Sequence, residues 1–213
     1  MLKLALFDLD ETLYPRSAKL MHEITGRIQR YLIDKMGVPE DEAQALRQRF
    51  RGTYGTALRG LVEEGYPLDM DDYFAYVHDI ELEGRLIPDP LLREMLLGLP
   101  LRRAVLTNSN IEHAERILRH IGIHDCFEAI IDIKALQFKN KPAPESYALT
   151  MALLGVEPNE VIFVEDTPAN TRPAKAMGMT TVLIECDRSG DADYFLDSVL
   201  EVGPLVAKLQ SDA

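Results

Sequence analysis

The chain has 213 residues, 46% of them hydrophobic, enough to bury a sizeable core in one domain or in one domain carrying an insertion. Its 35 acidic residues outnumber 23 Lys and Arg for a formal net charge of -12, which argues against a nucleic-acid polymer or an anionic membrane as partner, since both bind through clustered cations. No apolar stretch approaches membrane-spanning length and the first strand pattern leaves no room for a signal peptide ahead of Asp8. Cys126 and Cys186 lie far apart, outside any zinc-binding spacing, and are expected to be buried reduced thiols in a cytoplasmic protein.

Five short apolar runs have the character of strands in a parallel sheet covered on both faces: residues 3–7, 103–107, 129–133, 161–165 and 180–184. Between the later ones, 111–121 carries Ile111, Ala114, Ile117, Leu118 and Ile121 at helical spacing and stops at Gly122. The same scheme recurs over 144–154, ending at Gly155, and over 169–177, ending at Gly178. Strand, helix, strand in succession predicts an α/β fold, a Rossmann-like doubly wound parallel sheet with its ligand site at the carboxyl ends of the strands.

Phe7 and Arg103 are separated by far more chain than one crossover needs, so something is inserted there. The insert reads as all helical. Ser17 is placed to cap a helix through about Lys35, with Leu20, Ile24, Ile28 and Leu32 on one face. Pro39 suits the start of a second, where Glu40, Asp41 and Glu42 favour the dipole. Asp69 suits the cap of a later helix carrying Tyr73, Phe74 and Val77. Pro15 and the segment Pro88-Asp89-Pro90 punctuate its ends. The expected organisation is therefore a core of 1–15 and 88–213 with a small helical cap over 16–87.

Polar residues gather where the apolar runs end. Asp8, Asp10 and Thr12 follow the first at alternate positions, and side chains two apart on an extended backbone share a face. That spacing suggests a nucleophile beside a proton carrier. Two carboxylates so close repel unless a cation or shared proton offsets them. The second run ends in Thr107, Asn108 and Ser109 ahead of a helix whose amino terminus favours an anion. Asn108 or Ser109 is expected to cap it, which leaves Thr107 as the better ligand candidate. Beyond the third, a phosphate flanked by carboxylates needs a fixed positive charge; Lys141, its backbone restricted by Pro142, is favoured over Lys139.

The fourth run ends in Glu165 and Asp166, and adjacent carboxylates at a buried sheet end are costly without a counterion. Mg2+ fits, because it takes one or two protein carboxylates and fills its other positions with water and substrate oxygens. Asp8 and Asp166 are expected as direct ligands with the Asp10 carbonyl as a further one, and Glu165 acts through water or from behind them. Thr167 and Asn170 either orient these groups or cap the following helix.

Asp8-Leu9-Asp10-Glu11-Thr12, Thr107-Asn108, Lys141-Pro142 and Glu165-Asp166, in this order on successive strands, resemble the haloacid dehalogenase superfamily of phosphohydrolases. Within it, Asp10 to Pro15, Tyr54 to Leu61, Tyr76 to Asp79, and Thr107-Asn108 followed by His113-Ala114 look like the pyrimidine 5′-nucleotidase group. Glu165 stands where many members carry Asp, which touches only the detail of the metal shell.

The resemblance implies that Asp8 attacks phosphorus and forms an aspartyl-phosphate while Asp10 protonates the leaving alkoxide and later takes a proton from water. Mg2+ would bridge Asp8 and a phosphoryl oxygen, with Lys141 and Thr107 on the remaining oxygens. Asn108 in the core and Tyr54, Arg59 and His78 in the cap are the expected substrate contacts, Tyr73 and Tyr76 being weighed beside them. The implied substrate is a small phosphate ester, foremost a nucleoside monophosphate. A sugar phosphatase, a phosphoglycolate phosphatase or a phosphomutase shares Asp8 and Asp10, and a catalytically silent phosphate-binding protein would have lost one of the site residues. Dehalogenation is disfavoured because a halide leaves without a proton and has no need of Asp10. Oligomeric state is left open.

Overall fold

The computed structural model describes residues 1–185 and 190–211. In chain order its elements are β1 (Leu4–Phe7), α1 (Leu20–Asp34), α2 (Glu40–Tyr54), α3 (Ala57–Glu63), α4 (Met70–Val77), α5 (Pro90–Gly98) and β2 (Arg102–Leu106). They continue with α6 (Ile111–His120), β3 (Ala129–Ile131), α7 (Pro144–Leu154), β4 (Val161–Glu165), α8 (Pro168–Ala176), β5 (Thr180–Ile184), β6 (Tyr194–Leu196) and α9 (Val202–Ser211). The chain forms two compact units, Met1–Pro15 with Leu86–Ala213 and Arg16–Arg85. The second ends two residues before the boundary drawn from the prolines.

In the first unit a six-stranded parallel sheet runs in the order β3-β2-β1-β4-β5-β6. Two consequences follow for the site. The strand order reverses at β1, so this strand lies between β2 and β4, with Phe7 opposite Val105 on one side and Val164 on the other. The segments leaving these three strands therefore start side by side, at the switch point where doubly wound sheets bind ligands. The apolar runs are uninterrupted because both faces are covered. Leu4, Leu6, Ala104, Leu106, Val161 and Phe163 join Tyr147, Met151 and Leu154 of α7 and Ala174 of α8 in one core, while the alternate residues Ala5, Phe7, Val105, Ile162 and Val164 are equally buried.

The sheet holds one strand more than predicted. β6 has three residues, all partly exposed, too short to stand out as an apolar run; it pairs with β5 through Val182, Leu183 and Ile184. α7 stops where expected, Gly155 taking the left-handed conformation (φ 63°) that a residue with a Cβ adopts only at a cost. α5 was not expected, its Pro88-Asp89-Pro90 opening having been read as punctuation. Asp89 in fact caps the helix and Pro90 is its first residue. α9 was likewise unpredicted.

The second unit comprises α1 to α4. Ser17 does not cap α1: it sits in a 3-10 turn over Arg16–Ala18, and the helix begins after Lys19, whose backbone is left-handed at φ 56°. Asp69 does cap α4, its carboxylate accepting from the amides of Asp71 and Asp72. Tyr31 packs edge-on against Tyr73 at 5.1 Å. α3 fills the place left open for a third helix ahead of the one that Asp69 caps, and it lies so close to α2 that a Cβ on Gly60 would collide with the Phe50 ring. Among the described residues no helix is long and apolar enough to cross a membrane. Cys126 is buried and unpaired, and Cys186 lies outside the described residues.

Candidate active site

Asp8 leaves β1 with its amide bonded to the Val164 carbonyl at 2.9 Å, which anchors it beside β4. The chain then turns. The amides of Thr12 and Leu13 both donate to the Leu9 carbonyl, and Glu11 is left-handed at φ 66°. An extended backbone is therefore not what gathers Asp8, Asp10 and Thr12, as the spacing implied. The chain turns tightly between Asp8 and Thr12 instead, and a non-glycine residue in the left-handed region costs about 1–2 kcal/mol. Thr12 is 2% exposed and its hydroxyl has no hydrogen-bond partner among the described residues.

Lys141 is the electrostatic centre. It is 1% exposed, and its ammonium donates to Asp8 Oδ1 at 2.5 Å and to Glu165 Oε2 at 2.8 Å. Its peptide to Pro142 is cis. Asn108 clamps this residue from the end of β2: its amide nitrogen donates to the Lys141 carbonyl at 3.1 Å, and its oxygen accepts from the Lys141 amide at 2.8 Å. The expectation that Asn108 or Ser109 caps the next helix is not met. The residue at that position is Asn110, whose side chain makes no cap bond, while Asp132 accepts from the Ile111 amide. Thr107 is fully buried and its hydroxyl accepts from the Ser109 amide at 3.0 Å.

Carboxylate oxygens of Asp8, Glu165 and Asp166 lie within 4.8 Å of one another, all three residues buried. With one ammonium among three carboxylates, the group carries excess negative charge. Burial drives the Asp8 carboxyl up to about 6, with Asp166 and Asp10 adding to the effect and Lys141 opposing it. Glu165 is pushed up by its burial and by Asp8. Burial pulls the Lys141 ammonium down, but Asp8 and Glu165 outweigh it and hold it charged. This is the donor set a hard divalent cation fits: acidic oxygens, buried, with a charge deficit to fill.

Glu165, the last residue of β4, and Asp166, which follows it, are not equivalent. Glu165 Oε2 takes Lys141, and its Oε1 accepts from the amides of Asp166 and Thr167 at 3.2 Å each. Both of its oxygens are occupied by the protein, which suits a place behind the direct ligands. Thr167 donates its hydroxyl to Asp166 Oδ1 at 3.2 Å and makes no side-chain cap to α8, so of its two expected roles orientation is the one observed. The Asn170 carbonyl accepts from the Tyr147 hydroxyl at 2.6 Å.

Asp10 is held by side chains from the segments that follow β1 and β2. Tyr14 donates to Oδ1 at 2.7 Å, Ser109 donates to Oδ2 at 3.0 Å, and His113 Nε2 stands 3.2 Å from Oδ1. Burial, with Asp10 adding to it, drives the Tyr14 phenol well above its ordinary value, so it remains a donor. Tyr14 and His113 entered the sequence reading only as parts of a resemblance. The four-residue spacing of Tyr14 from Asp10 was a usable signal; nothing in sequence pairs His113 with Asp10.

Tyr54, Arg59 and His78 belong to the helical unit and are each partly exposed. Tyr54 donates to Glu64, Arg59 pairs with Glu63, and His78 stacks on Phe74 at 5.9 Å. Tyr73 is 3% exposed, a core residue of that unit, and Tyr76 donates to Asp34. A cavity of about 780 Å3 in the same unit is lined by Lys19, His22, Arg27, Arg30 and Arg85 among others, and not by Tyr54, Arg59, Tyr73, Tyr76 or His78.

Fold and site together define a hydrolase of the haloacid dehalogenase type. The chain belongs to that family: the model for haloacid dehalogenase-like hydrolases matches residues 2–178. It is 28% identical over 195 residues to phosphate metabolism protein 8 of Saccharomyces cerevisiae, an alignment taking in 85% of this chain and 61% of that protein. It spans, then, about three-fifths of that relative. It is also 28% identical to a glyceraldehyde 3-phosphate phosphatase of Methanopyrus kandleri over the full length of both. The solved structure of L-2-haloacid dehalogenase from Xanthobacter autotrophicus superposes with a TM-score of 0.63 at 21% identity, over 97% of this chain and 99% of that one.

Proposed function

We propose that the protein is a magnesium-dependent phosphomonoesterase acting through an aspartyl-phosphate on Asp8, with a nucleoside monophosphate as its foremost substrate and the cytoplasm as its setting. The observation that carries this reading is the buried group of Asp8, Glu165 and Asp166 around Lys141, beside an Asp10 held by three polar side chains. Asp8 and Asp166 would hold the cation, with the Asp10 carbonyl, and Glu165 would orient them from behind through its bonds to Lys141 and two amides. When bound, the cation neutralises the repulsion between a phosphoryl group and an anionic nucleophile.

The chain's own residues account for the rest. Asp8 attacks phosphorus, and Lys141, fixed by Asn108 and charged in its buried position, faces the phosphoryl oxygens together with Thr107. Asp10 gives its proton to the leaving oxygen as that bond breaks. It then draws a proton from the water that hydrolyses the aspartyl-phosphate, regenerating Asp8. Dehalogenation is disfavoured because a halide leaves unprotonated, and a hydrogen-bonded Asp10 would have no task in it.

A second reading, a phosphatase for a small phosphorylated sugar, draws support from the full-length match to the M. kandleri enzyme. Phosphate release across a panel of nucleoside monophosphates and sugar phosphates, with Mg2+ and with EDTA, separates the two. Preference for pyrimidine monophosphates supports the first. Silence on every ester, or turnover by Asp8→Asn in a clean preparation, overturns the phosphatase reading as a whole.

A further inference from the structure

We propose that Tyr14, Ser109 and His113 are a positioning set that holds the Asp10 carboxylate in line with the departing oxygen; the proposal rests on the reading of Asp10 as acid and base given above. Three stretches of chain supply the set. Tyr14 comes from the turn after β1, Ser109 from the end of β2, and His113 from the first turn of α6. They reach both oxygens, so neither the tilt nor the rotation of the carboxylate is left to solvent. Asp69 and Asp89 at helix starts and Asp132 at Ile111 and Ala135 accept from backbone amides. Asp10 is gripped by two hydroxyls and an imidazole.

Burying those groups is costly unless each is matched. Tyr14 is 5% exposed and His113 2%, yet both are turned onto a carboxylate rather than replaced by apolar residues. His113 Nε2 donates when the carboxylate is ionised and accepts when Asp10 carries the proton it gives to the leaving oxygen. Proton transfer tolerates little misalignment; a displacement of about 1 Å costs on the order of a hundredfold in rate. A group held by one contact swings. Three contacts on two oxygens, drawn from neighbouring strand ends, remove that freedom.

Leaving-group dependence tests the proposal. The ratio kcat/KM reports steps up to formation of the aspartyl-phosphate, so slow breakdown of that intermediate does not mask the result. It is measured on p-nitrophenyl phosphate, whose phenolate departs without a proton, and on uridine 5′-monophosphate and glycerol 2-phosphate, whose alkoxides need one. Tyr14→Phe and His113→Leu should lower kcat/KM on the alkyl esters about ten- to a hundredfold, and on the aryl ester less than about threefold. His113→Gln, which can offer an amide N–H in the Nε2 position, should recover most of the loss. Equal losses on both kinds of ester would reduce the set to a structural role, and no loss on either would remove it; both outcomes overturn the proposal. Asp10→Asn in the same assay separates the failures. If it shows the ester-selective loss and the positioning variants do not, only the proposal falls. If it loses equally on all esters, the acid-base reading falls and the proposal with it.

Discussion

Lys141→Met keeps most of the length of the side chain and removes its charge, and the surroundings set the cost. The ammonium is 1% exposed and bonded to Asp8 at 2.5 Å and Glu165 at 2.8 Å. Without it, three buried carboxylates within 4.8 Å of one another lose the ammonium between them. Removing one partner from a buried ion pair costs about 3–5 kcal/mol. At about 2–4 °C per kcal/mol for a chain of this size, the melting midpoint should fall by roughly 6–20 °C.

The sign of the pH dependence follows from Asp8. Its carboxyl already sits at about 6, raised by burial and by Asp166 and Asp10 against the pull of Lys141. Loss of that pull moves Asp8 and Glu165 higher still, while the unfolded chain's carboxylates titrate near 4. The folded variant then binds more protons than the unfolded chain across the range between, so its stability drops as pH rises. The deficit against wild type should widen from about pH 5 to about pH 8. Thermal denaturation followed by circular dichroism in EDTA at the two pH values measures it. A deficit equal at both, larger at the lower pH, or absent at the higher would refute the reasoning.

Magnesium added to EDTA-treated protein should raise the melting midpoint at about pH 8 and do so less at about pH 5, because Asp8 must first give up its proton; equal shifts at both, or an undiminished shift in Asp166→Asn, would count against the site. Asn108→Ala removes two hydrogen bonds from the Lys141 backbone and should cost about 1–3 kcal/mol, with phosphate release falling as the ammonium drifts; a stable variant of normal activity would show the clamp to be idle. Gly60→Ala drives a methyl into the Phe50 ring, an overpacking cost of about 1–3 kcal/mol that offsets or exceeds the gain of about 1 kcal/mol in helix propensity. Its helical unit should become more open to limited proteolysis, and resistance above wild type would contradict the close approach of α2 and α3.

Much of the core was legible because buried parallel strands announce themselves. Residues 161–164 are apolar and 180–184 are β-branched or apolar throughout, and 161–165 and 180–184 fold as β4 and β5 with the expected limits. Asp69 was readable as a cap and Gly155 as a stop because each acts on backbone within a few residues of itself. β6 was not, since a three-residue edge strand has no periodicity to detect. Ser17 misled because capping depends on where the helix begins, and here the backbone enters through a 3-10 turn. In the candidate site, Asp8, Glu165 and Asp166 stood out as charges at the ends of apolar runs, where charge has no cheap explanation, and Lys141 as the loop cation that a phosphate among carboxylates needs.

Sequence alone determined which residues carry charge at the strand ends and how far apart along the chain they lie, because burial pattern and turn chemistry are local properties. Only tertiary structure decided who meets whom. The order β2-β1-β4 sets Lys141 between Asp8 and Glu165, turns Asn108 from a helix cap into a clamp on Lys141, and brings Ser109 and His113 onto Asp10 across about a hundred residues of chain. The reason is that strand order is settled by which crossovers pack onto the sheet, a property of the whole chain that no short segment encodes.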